Sequence, residues 1–311
     1  MGKYLKKEDF NKFILNLKSR GELWAPVQRD TLRFENIDNI NEIVLKGNPW
    51  FPPKKLLFPK SESIFKYKDG KIVETNDKIK EQIIFGLRLC DLNAIKIIDK
   101  LFNDEFVLPS YKKRRENTIL VGIHCHFPQN EYCFCETMEL TKYYDLYLIE
   151  LNDGYFVDVG TDKGKKIISG LKDYDYEIPT IKTDKKLDHK NYEEIYVHNN
   201  WDLLSKKCLN CGQCTTLCPT CTCFDVIDNI NLDLKTGSRD IVYDGCQFKE
   251  FTRVAGGHVF RETRTQRLKH RIYHKLKYFK DKFGIYMCTG CGRCIRACPT
   301  KVDFVELINN I

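Results

Sequence analysis

The chain has 311 residues, 42% of them hydrophobic and 30% charged, which excludes a disordered protein and leaves room for two domains. No stretch approaches the roughly 18 apolar residues of a membrane span. The N-terminal MGKYLKKEDFNKFILNLKSR has no signal-peptide core, so a cytoplasmic location is expected. The net charge is +8, and its distribution matters more than its size.

In chain order, the first part reads as mixed α/β. Short β-branched or aromatic runs bounded by Pro, Gly, Asn or Asp predict strands over 55–58, 82–87, 118–123, 146–151 and 155–159. Asp91 is placed to cap a helix over 92–102, whose Leu92, Ile95, Ile98 and Phe102 fall at helical spacing, and Thr161 or Asp162 to open one through Leu171. Between 172 and 190 the chain turns charged and poor in apolar residues. That shift predicts an α/β domain over 1–185 and a second domain over 186–311. The second reads as helical, with a helix over 193–207. A longer one has a capping box at Thr263 and Gln266, an apolar stripe of Leu268, Ile272, Leu276, Phe279 and Phe283, and a stop at Gly284.

Fifteen cysteines would suggest disulfides in a secreted protein, but here they cluster at metal-ligand spacings, which implies a reducing compartment. Cys208, Cys211, Cys214 and Cys218 precede Pro219, and Cys288, Cys291, Cys294 and Cys298 precede Pro299. Each run is C-x2-C-x2-C-x3-C-P, the spacing by which bacterial ferredoxins hold 4Fe-4S clusters, with the fourth Cys reaching the other cluster. Crossed ligation is therefore expected: Cys208, Cys211, Cys214 and Cys298 for one cluster, Cys288, Cys291, Cys294 and Cys218 for the other. The long insertion between the runs reads as helical decoration on a two-cluster, alpha-helical ferredoxin-like core.

Seven cysteines lie outside the runs. Cys90, Cys125, Cys133 and Cys135 sit just past predicted strands, where an α/β domain builds its sites; they suit one more cluster, or a zinc ion shared with a neighbouring His. Cys221, Cys223 and Cys246 are left as residues that tune a cluster, bind a further one or simply pack. No G-x-G-x-x-G follows a strand, GTDKGKK is not a P-loop, and neither Ser-His-Asp nor H-E-x-x-H occurs. No catalytic residue is assigned.

Between Phe248 and Lys282 eleven Lys or Arg face three acids. Arg261, Arg264, Arg267 and Arg271 are expected to dock an acidic partner. In the alternative reading, the helix over 261–282 contacts nucleic-acid phosphates; a further one makes the chain a stand-alone reductase with its substrate at an open N-terminal cluster.

The stretches FGLRLCDLNAIKIIDKLF, GIHCHFPQNEYCFCETM, CGQCTTLCPTCTCFDV and the segment from DGCQFKEFTRVAGGHVFRE to YMCTGCGRCIRACP resemble one family. It comprises the iron-sulfur electron-transfer subunits that include the sulfhydrogenase beta subunits and the corresponding iron-sulfur subunit of anaerobic sulfite reductase. The resemblance implies a third 4Fe-4S cluster at Cys90, Cys125, Cys133 and Cys135. It also implies a non-catalytic relay that links an NAD(P)H-dependent flavoprotein subunit to a catalytic hydrogenase or sulfite reductase subunit.

Overall fold

The computed structural model describes residues 2–73 and 80–311. Along its first half come β1 (Gly2–Lys6), α1 (Phe10–Lys18), β2 (Glu22–Gln28), β3 (Leu32–Asn36), α2 (Lys54–Leu57), β4 (Ser61–Lys68), β5 (Lys71–Val73) and β6 (Gln82–Leu87). There follow α3 (Leu89–Asp99), α4 (Pro109–Glu116), β7 (Thr118–Ile123), β8 (Leu146–Glu150), β9 (Gly154–Val159), α5 (Asp162–Ile167) and β10 (Lys172–Tyr174). An eight-stranded sheet runs β10-β1-β9-β8-β7-β6-β2-β3, with β2, β6, β7 and β8 parallel.

The near-continuous apolar runs QIIFGL and TILVGI make the middle strands, because only a strand covered on both faces tolerates them. Alternation then divides the core. Ile84, Leu87 and Leu120 pack with Leu92, Ile95 and Tyr111 of α3 and α4 on one face. Ile83, Phe85 and Val121 pack with Phe13, Ile14 and Leu17 of α1 on the other. Each such side chain contributes about 1.5–3 kcal/mol on burial. Parallel β6 and β7 end side by side, so the loops after them share one edge of the sheet.

Some expectations are corrected. The segment 55–58 is the helix α2, not a strand, because Pro53 presets helical backbone at its N-cap. Helix α3 begins at Leu89 with Arg88 as its N-cap, so Asp91 is not a cap but a buried residue of the first turn. Thr161 does cap α5, accepting from Gly164 N–H at 3.2 Å, but that helix ends at Ile167.

The second half contains α6 (Tyr192–Val197), α7 (Asn200–Lys207), α8 (Gln213–Thr216), β11 (Phe224–Ile230), β12 (Thr236–Tyr243), α9 (Arg264–Tyr273), α10 (Phe279–Phe283), α11 (Arg293–Arg296) and α12 (Phe304–Asn309). The helix expected over 193–207 breaks between α6 and α7, where His198 is extended. The insertion between the cysteine runs is not wholly helical. It opens with the hairpin β11–β12, whose turn is held by the Asp233 carboxylate accepting from Lys235 and Thr236 N–H, both at 2.9 Å. The hairpin pairs with β4 and β5 in a second, four-stranded antiparallel sheet, interleaving the two halves.

Helix α9 starts at the expected capping box on Thr263, passes through a π-helical turn at His274–Tyr278, and continues as α10 to Gly284. Leu268, Ile272 and Leu276 pack with Trp201, Ile295, Phe304 and Ile308, and with Phe134 and Met138 from the loop after β7.

His270 and His274 stack 5.6 Å apart on this helix. Burial, then Arg261, lowers the His270 pKa to about 4; burial, then Lys275, His270 and the nearby arginines, lowers that of His274 to about 3. Both folded values lie below the ordinary 6.5, so the unfolded chain binds protons first and stability falls as pH drops from about 6.5 through about 3. The denaturant midpoint should be lower at about pH 5 than at about pH 7. The His270→Gln/His274→Gln double variant should lose less over that interval; equal losses would place the acid sensitivity elsewhere.

Candidate metal centre

The two cysteine runs fold alike. Asn210 and Gly290, each before the second cysteine, have φ of 54° and 64°; Gly212 and Gly292, each after it, have φ of 74° and 70°. Left- and right-handed residues in succession curl a loop so that its N–H groups face inward, a setting for an anion. Each loop closes into one short helical turn, Thr216 N–H bonding Gly212 O and Arg296 N–H bonding Gly292 O, both at 3.0 Å. The last cysteines match too: Cys218 Sγ lies 3.3 Å from Thr220 Oγ1, and Cys298 Sγ 3.6 Å from Thr300 Oγ1.

Three cavities collect twelve of the cysteines. Cys208, Cys211, Cys214 and Cys298 line the first, with Cys294 at its wall. Cys218, Cys288, Cys291 and Cys294 line the second. Cys90, Cys125, Cys133 and Cys135 line the third, with Cys291 at its wall. The fourth cysteine of each run thus sits in the cavity of the other run.

Leu268, Ile272 and Phe304 make the first cavity largely apolar, and Ile272, Leu276, Phe134 and Phe304 do the same for the second. Among the described residues no three His, Cys, Asp or Glu side chains converge as a single ion requires. A cubane instead needs thiolates ringed around a space, and this donor set fits one. His126 is exposed, His124 has its Nδ1 3.3 Å from Tyr147 Oη, and neither lines the cavity of the N-terminal cysteines, which argues against a zinc shared with them. Burial pushes the Cys125 thiol up to about 11, and those of Cys135 and Cys288 up to about 12. Iron must therefore displace protons to bind there.

The loop after β7 is pressed onto the second run. Phe134 N–H bonds Gly290 O at 2.8 Å, and Asn130 Nδ2 donates to Cys291 O at 3.1 Å. A Cβ on Gly290 would lie 2.6 Å from the Cys135 backbone, and one on Gly292 2.6 Å from that of Tyr132. Both glycines thus serve a close approach as well as a positive φ. Beside them Arg293, 1% exposed, holds Asp91, fully buried, at 2.6 Å and also donates to Pro49 O at 2.9 Å. This pair joins the residue after Cys90 to the loop of Cys291.

Cys221, Cys223 and Cys246 line none of the three cavities. Cys221 Sγ accepts from Arg271 Nη1 at 3.2 Å, and Cys246 is buried.

The basic segment needs correction. Arg267 and Arg271 are each 4% exposed and point inward, so they cannot dock a partner; of the four expected arginines Arg264 is exposed and Arg261 half-buried. Lys277, Lys280 and Lys282 are paired with Asp281, Glu139 and Glu105. This leaves little free charge for the phosphate-contacting alternative. The sequence reading also missed Lys54 and Lys275, buried beside the thiols, and the Asp91–Arg293 pair. The four-residue spacing of Arg267, Arg271 and Lys275, one position before Leu268, Ile272 and Leu276, was the available signal.

The fold and thiol-lined cavities define an iron-sulfur protein, and the 4Fe-4S dicluster domain family matches residues 207–302. The beta subunit of sulfhydrogenase 2 from Pyrococcus furiosus is 34% identical over 99% of this chain and 97% of its own length. The chain belongs to the sulfhydrogenase beta-subunit family of iron-sulfur electron-transfer subunits. No solved structure matches it, and among the described residues no helix is long and apolar enough to cross a membrane.

Proposed function

We propose that the chain relays electrons through three 4Fe-4S centres in a row. Cys208, Cys211, Cys214 and Cys298 hold the first; Cys218, Cys288, Cys291 and Cys294 the second; Cys90, Cys125, Cys133 and Cys135 the third. The observation that carries this reading is the sharing of walls: Cys294 borders the first and second cavities, and Cys291 the second and third. Bound clusters supply one-electron chemistry. The protein supplies thiolates, inward N–H groups, and apolar walls that keep water from the middle of the row.

Both ends reach the surface. Cys211 is exposed, and Cys135 borders a cleft of about 300 Å³ with His124, Tyr144 and Tyr147. These two ends suit two partners: a flavoprotein subunit that exchanges electrons with NAD(P)H, and a catalytic hydrogenase subunit. The name of the relative, a sulfhydrogenase subunit, favours this choice over sulfite reductase. Anaerobically purified protein should contain about twelve irons per chain, four for each four-cysteine centre, and no stoichiometric zinc. About eight irons with one zinc would overturn the third centre. Co-purification from native cells should bring down a flavoprotein; its absence would overturn the partner assignment.

A further inference from the structure

Lys54, Arg271 and Lys275 are 4%, 4% and 6% exposed, and among the described residues none is paired with a carboxylate. Arg271 Nη2 donates to Cys214 O at 2.5 Å, in addition to its bond to Cys221 Sγ. Lys275 Nζ donates to Thr220 Oγ1 at 2.9 Å, and Lys54 Nζ to Cys221 O at 2.7 Å. Carbonyls and hydroxyls solvate such charges but do not neutralise them, and a buried charge left unneutralised is strongly unfavourable. Beside Cys221, whose Sγ accepts from Arg271, the thiolate-bound centres are the nearest source of the missing negative charge.

The supply of cations is unequal. Arg271 and Lys275 both line the second cavity, and Lys54 stands behind its Thr220–Cys221 wall. The first cavity has Arg271 in its lining, and Arg264, which donates to Cys208 O at 3.0 Å, is exposed to solvent that screens its charge. The third has Arg88, 3% exposed and bonded to carbonyls, while the nearby Arg293 is cancelled by Asp91. Reduction adds one negative charge to a cluster, and neighbouring positive charge favours that form.

We infer that Lys275, Arg271 and Lys54 make the second centre the most readily reduced of the three, so that an electron entering from either end rests in the middle of the row. The inference builds on the three-centre reading. The step balances as a single electron: a reduced partner centre loses it and the middle cluster gains it, with no bond made or broken. A relay with its highest potential in the middle holds one electron in store, and the second of a flavin's two electrons then passes along a chain already part-filled.

The test is a redox titration of the iron-loaded, full-length chain followed by electron paramagnetic resonance, with the middle signal identified as the one lost in Cys288→Ala. In the unaltered protein that signal should appear at the highest potential. Lys275→Met should lower its midpoint by at least a tenfold change in the one-electron equilibrium, about 59 mV, with iron content unchanged and the other signals in place. Lys275→Arg, which keeps the charge, should restore most of the shift. Lys54→Met reaches the same centre from α2 and carries the test if Lys275→Met fails to fold. A middle signal that does not move at full iron content, or one that is not highest in the unaltered protein, overturns the inference. Fewer than three centres in the unaltered protein overturns the relay reading instead.

Discussion

Cys218→Ala is expected to abolish the same paramagnetic centre as Cys288→Ala, although the two residues belong to different runs. Cys298→Ala should share its loss with Cys208→Ala. Each change should remove about four irons, the content of one cubane cluster, and leave the remaining centres near full occupancy. The expectation follows from placement: Cys218 lines the cavity of Cys288, Cys291 and Cys294, while Cys298 lines that of Cys208, Cys211 and Cys214. The left-handed turns at Asn210, Gly212, Gly290 and Gly292 curl each loop around three of its thiols, while the fourth lines the cavity of the other run. The two matched pairs of variants separate this arrangement from ligation within each run. Were Cys218→Ala to eliminate the signal lost in Cys208→Ala, the crossing would be wrong.

Arg293→Met should cost about 3–5 kcal/mol of stability, the range seen when one partner of a buried ion pair is removed. Asp91 has no exposure, and its carboxylate would be left with no cation in a site water does not reach. The loss should exceed that at an exposed pair such as Lys6 with Glu8, where solvent screens both charges. Denaturant titration of the purified protein would measure it. The Arg293→Met/Asp91→Leu double variant, which removes both charges, should recover a substantial part; failure to recover any would mean that the Arg293 bonds to Asn48 and Pro49, and not the ion pair, hold the two halves together.

The sites were legible where chemistry demands a fixed spacing. A run of four cysteines with a following proline is constrained by the shape of a cubane, so both runs, and the placement of each fourth cysteine at the cavity of the other run, could be anticipated from the chain. The strands β6 and β7 were legible because a strand covered on both faces is apolar throughout. What escaped depended on partners remote in sequence. Asp91 looked like a helix cap because its local pattern allowed it, and only Arg293 on a distant loop explains why it is buried. Lys54 lies in FPPKKLLF, a stretch with strand-like composition that two prolines turn into a helix. The hairpin β11–β12 was hidden among charged residues, since one edge of it faces solvent and its other edge pairs with β4, which the sequence does not announce.

That hairpin also bears on how the protein is made. Strand β12 pairs Val242 with Ser61 and Ile241 with Glu62, so the second sheet cannot close until most of the chain has left the ribosome. Contacts this distant in sequence are slow to form and leave intermediates exposed. During that interval the cysteines of the first run are already synthesised but lack Cys298, and those of the N-terminal loop lack the wall that Cys291 provides. Under the proposed ligation the nascent chain is a set of unfinished thiol sites, and iron loading is expected to follow release of the whole chain. Slower expression under exclusion of oxygen should then raise the iron content of the purified chain.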